Sequence, residues 1–61
     1  MNVLIVDDDL IEIRVVSSII DRQRLGIEEI FTASRVAEAR ELLQSNPIDI
    51  VICDIEFIAI V

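Results

Sequence analysis

Short, unbroken apolar runs alternate along the chain with stretches whose apolar residues recur at helical spacing. Val3-Leu4-Ile5-Val6 is apolar at every position and ends on Asp7-Asp8-Asp9. A continuous run of this kind predicts a parallel strand covered on both faces, here over residues 2–7. Asp8 or Asp9 is placed to cap a helix over about residues 10–24. Within it, Ile13, Val16 and Ile20 form one series and Ile11, Val15 and Ile19 another, which together predict a wide apolar face. Several of these residues are β-branched, so the helix depends on packing rather than on intrinsic propensity. Gly26 is placed as its C-terminal cap. Ile27 to Ala33 reads as a second strand centred on Ile30-Phe31. Ser34 is expected to cap a second helix over about residues 35–45, with Val36, Ala39, Leu42 and Leu43 on one face and Glu38, Arg40, Glu41 and Gln44 mostly outside it. Asn46-Pro47 stops that helix, and Ile48 to Asp54 reads as a third strand. The remaining residues carry no glycine, proline or cap; they prolong the third strand or turn into a short fourth.

The order is strand–helix–strand–helix–strand with short connections. Such units in one sheet are almost always right-handed and parallel. The carboxyl ends of the first and third strands then share one edge of the sheet. Asp7, Asp8 and Asp54 converge there, where open α/β sheets bind ligands. Carboxylates gathered at strand ends repel each other and resist burial, an arrangement that makes sense if they share a divalent cation. With no histidine and a single cysteine, oxygen ligands and a hard cation suit the cluster and a soft metal does not.

Composition narrows the picture. The chain has 61 residues, one small domain at most, with a marginal core. Yet 54% of residues are hydrophobic and the mean hydropathy is +0.65, more apolar surface than one such monomer easily hides. A partner surface is expected, most simply a second copy of the chain. Twelve acids against five arginines give a net charge of −7, with no lysine, which argues against nucleic-acid binding by this segment. Cys53 alone excludes an intrachain disulfide; with no signal-peptide pattern, the expectation is a cytoplasmic setting. No apolar run approaches membrane-spanning length. Asp9 reads as a helix cap, Cys53 as a small buried hydrophobe, and the five arginines as solvated helix faces.

Val3-Leu4-Ile5-Val6-Asp7-Asp8-Asp9, followed at the matching distance by Ile48-Asp49-Ile50-Val51-Ile52-Cys53-Asp54, resembles the receiver domain of bacterial response regulators. Leu25-Gly26-Ile27-Glu28-Glu29-Ile30-Phe31-Thr32-Ala33 and Ala37-Glu38-Ala39-Arg40-Glu41-Leu42-Leu43 are similar to that family's second strand and second helix. The resemblance runs from about Asn2 to Glu56. It implies an α/β, flavodoxin-like half-domain, βαβαβ, with a parallel sheet ordered 2-1-3. It further implies that Asp54 is a phosphoacceptor, phosphorylated from the phosphohistidine of a sensor histidine kinase. Asp7 and Asp8 would hold Mg²⁺ directly or through water, together with Asp54 and the backbone carbonyl of Glu56. Mg²⁺ lowers the repulsion between an anionic carboxylate and an anionic phosphoryl group. On this reading the chain is a signalling module of a two-component system and not an enzyme.

The family's later strands supply a Ser/Thr and a lysine that contact the phosphoryl group, and no lysine stands anywhere in this chain. After the acceptor the family usually reads Met-Pro-Gly, where this chain has Phe57-Ile58-Ala59. Residues 1–56 therefore read as a truncated receiver and 57–61 as an apolar tail foreign to the family. The third strand becomes an exposed apolar edge, and it and the tail are expected to pair with a second copy and restore a continuous sheet across a two-fold axis. The alternative function is accordingly a truncated or engineered half-receiver that forms a homodimer and lacks phosphotransfer activity. Asp7-x-Asp9 also has the nucleophile spacing of haloacid-dehalogenase-type phosphatases, a reading the absence of lysine disfavours.

Overall fold

A computed structural model describes residues 1–53 of the chain. The elements run β1 (Asn2–Val6), α1 (Leu10–Ile19), α2 (Arg22–Leu25), β2 (Glu29–Ala33), α3 (Val36–Ser45) and β3 (Ile50–Cys53). The strands form an all-parallel sheet in the order β2-β1-β3, the expected order. β1 sits between its neighbours, with Val3 opposite Ile30 on one side and Ile50 on the other.

The alternation of side chains along β1 builds both cores. Val3 and Ile5 point to one face, where they are buried with Ile13 of α1 and Ile27, and Val16, Ile20 and Ile30 pack around them. Leu4 and Val6 point to the other, buried with Ala33 and with Ala39 of α3, and flanked by Phe31, Leu42, Ile48 and Cys53. One helix therefore lies on each face of the sheet. Leu4 is wholly excluded from solvent and Ile5 is 1% exposed. Asn2 anchors the amino end of the sheet: its N–H donates to Asp49 Oδ2 (2.7 Å) and its Nδ2 to the Pro47 carbonyl (3.0 Å).

The single helix expected over residues 10–24 is interrupted. α1 ends at Ile19, and Ile20 takes an extended conformation (φ −78°, ψ 121°). The cause is Asp21, whose Oδ1 accepts from the Arg24 N–H (3.1 Å) and so starts the short helix α2 as its N-cap. An aspartate competes with the helical backbone in this way. Gly26 does cap the end, in the left-handed region (φ 69°), with the Gly26 and Ile27 N–H groups returning to the Gln23 and Arg22 carbonyls (3.3 and 2.8 Å). Ser34 is not the cap of the next helix. Arg35 occupies that position without a side-chain bond, and the Glu38 carboxylate reaches back to accept from the Ser34 N–H (2.8 Å). The Ser34 hydroxyl turns to the same carboxylate, donating to Glu38 Oε1 (3.4 Å), and accepts no N–H of the helix. Asn46 ends α3, its N–H and Nδ2 both donating to the Leu42 carbonyl (3.0 and 3.2 Å).

The wide apolar face of α1 is only half covered. Ile13, Val16 and Ile20 face the sheet, whereas Ile11, Val15 and Ile19 are 72, 54 and 74% exposed. One sheet can cover one side of a helix, and nothing among the described residues lies over the other. The apolar run of β3 is exposed as well, Ile50, Val51 and Ile52 at 42, 46 and 38%. α1 packs over β1, and α3 over β2 and β1, which leaves β3 as an apolar edge among the described residues. Among the described residues no helix is long and apolar enough to cross a membrane.

Replacing Leu4 by alanine is expected to cost about 3 kcal/mol, a large share of the stability of so small a domain. A Cβ on Gly26 would meet no atom within 4 Å, so Gly26→Ala should cost only the backbone strain, about 1 kcal/mol. Urea unfolding followed by circular dichroism measures both, and a Gly26→Ala loss as large as that of Leu4→Ala would contradict the cap geometry.

Candidate functional site at the carboxyl edge of the sheet

The apolar run of β1 carries the chain through the core and delivers Asp7 at its end, 8% exposed. The Asp7 N–H continues the ladder by donating to the Ala33 carbonyl (3.0 Å), so the residue is tied to the sheet. Its Oδ1 accepts from the Asp9 N–H (2.9 Å), turning the chain out of the strand. Asp9 then caps α1: its Oδ1 accepts from the Ile11 N–H (2.9 Å) and its carbonyl from the Ile13 N–H (3.1 Å). Asp9 is thus the helix cap of the two candidates. Asp8, between them, is exposed.

A carboxylate this buried tends towards its neutral form. For Asp7 the balance falls the other way, and its pKa lies below the ordinary aspartate value. The Asp9 N–H is the largest cause, a hydrogen bond with the Glu12 side chain is next, burial opposes both, and a bond with Asp8 adds a little. Asp7 is therefore an ionised oxygen donor at neutral pH, held by a rigid backbone.

Glu12 is the residue at this site that the sequence reading did not single out. It stands in the first turn of α1, three positions after the cap Asp9. The Asp-x-x-Glu spacing, akin to a capping box, is the signal that marks it.

Register sets what else reaches this edge. Val6 pairs with Cys53, so the last described residue of β3 lies beside the residue that precedes Asp7. Asp54 and Glu56, the other expected ligands, fall outside the described residues, as does the tail 57–61. Among the described residues no group of three or more His, Cys, Asp or Glu side chains is gathered closely enough to hold a metal ion. The donors that are described, Asp7 buried and Asp8 exposed, are carboxylates suited to a hard cation. Cys53 is half-buried against the Leu4 and Val6 core, in keeping with a packing role. Arg22 is more than a solvated cation, since its Nη2 donates to the Glu28 carbonyl and closes the α2–β2 corner.

No family model, characterised protein or solved structure matches the chain.

Two outcomes follow from the geometry. The carboxyl carbon of Asp7, followed by NMR, should titrate below about 3.9. A depressed folded-state value means that ionised Asp7 stabilises the fold above the unfolded midpoint, with the contribution lost as pH falls through the lower folded one. Asp7→Asn should remove that segment of the acid-unfolding curve; a midpoint above the ordinary value would contradict the bonding described. Asp9→Ala should cost about 1 kcal/mol in urea unfolding, through loss of the helix cap.

Proposed function

We propose that the chain is the phosphoacceptor portion of a flavodoxin-like receiver module. Asp54 accepts a phosphoryl group from a sensor histidine kinase. The observation that carries this reading is the buried, ionised Asp7 at the carboxyl end of the central strand of a 2-1-3 parallel sheet, with the end of β3 in register beside it. The resemblance of the aspartate-terminated strands to the receiver family supplies the reaction. In the transfer, a carboxylate oxygen of Asp54 bonds to phosphorus as the phosphorus–nitrogen bond of phosphohistidine breaks. Asp7, Asp8, Asp54 and the Glu56 carbonyl would hold Mg²⁺, which supplies charge neutralisation between the anionic partners. Asp7 contributes a donor that is ionised before any ligand arrives, and its bond from the Asp9 N–H fixes its direction.

A second reading is favoured by a separate observation, the exposed apolar residues of β3 and α1. In it the chain is a half-receiver that assembles as a homodimer and transfers no phosphoryl group, in keeping with its lack of lysine.

Amide NMR during titration with Mg²⁺ and then beryllofluoride, an acyl-phosphate mimic, separates them. The phosphoacceptor reading expects shifts at Asp7, Asp8, Asp54 and Glu56 that vanish in Asp54→Asn. Absence of response to both ligands would overturn it.

A further inference from the structure

We draw no further inference here: the strongest candidate, the exposed apolar patch of Ile50, Val51 and Ile52 on the edge strand β3, carries none, because nothing in the structure shows what covers it.

Discussion

A strand that is apolar at every position can be buried only if something lies on each of its faces and along each of its edges. β1 imposes that condition on the rest of the chain. Val3 and Ile5 call for a helix on one side, Leu4 and Val6 for a helix on the other, and the backbone calls for a neighbour at each edge. The short chain meets the demand with little to spare. α1, α3, β2 and β3 each cover β1, and α1, α3 and β3 leave part of their own apolar surface exposed. Leu43 at 47% and Ile19 at 74% exposure belong to the same shortfall as β3.

The candidate site is a by-product of the same condition. Because β1 runs through the centre, the residue that follows it emerges at the carboxyl edge still under cover, and that residue is an aspartate. Its charge survives because the turn out of the strand is built on it. Asp7 accepts from the Asp9 N–H, and Asp9 in turn accepts from the Ile11 N–H. The bonds that begin α1 are thus continuous with those that hold Asp7 ionised. Fold and site share them, so a change in how the helix starts would be felt at the carboxylate.

Much of this was legible in the sequence because hydrophobic periodicity carries it. The unbroken run at Val3–Val6 announced a strand covered on both faces, and the strand order placed the aspartate that follows it at the carboxyl edge of the sheet. Local competition between side chains was harder to read. Asp21 breaks the long helix because it captures the Arg24 N–H, and Glu38 reaches back a turn to accept from both the N–H and the hydroxyl of Ser34. Both outcomes depend on where individual side chains find hydrogen-bond partners, which periodicity does not encode. Nor does periodicity say which of two apolar stripes on α1 meets the sheet; Ile13, Val16 and Ile20 do so because Val3 and Ile5 lie beneath them. The partnership of Glu12 with Asp7 was hidden for a similar reason, since it spans the turn between strand and helix.

The centrality of β1 also has a consequence in time. β1, which precedes β2 and β3 in the chain, pairs with Glu29–Ala33 on one edge and, far later in the chain, with Ile50–Cys53 on the other. At translation rates of about 5–20 residues per second, β1, apolar from Val3 to Val6, emerges seconds before β3 can pair with it. The contacts it needs are among the most distant in sequence, the kind that form slowly. During that interval it is the part of the chain most open to capture by a chaperone or by another nascent copy. Early possession of the best core strand therefore makes the protein depend on what shields it before β3 arrives.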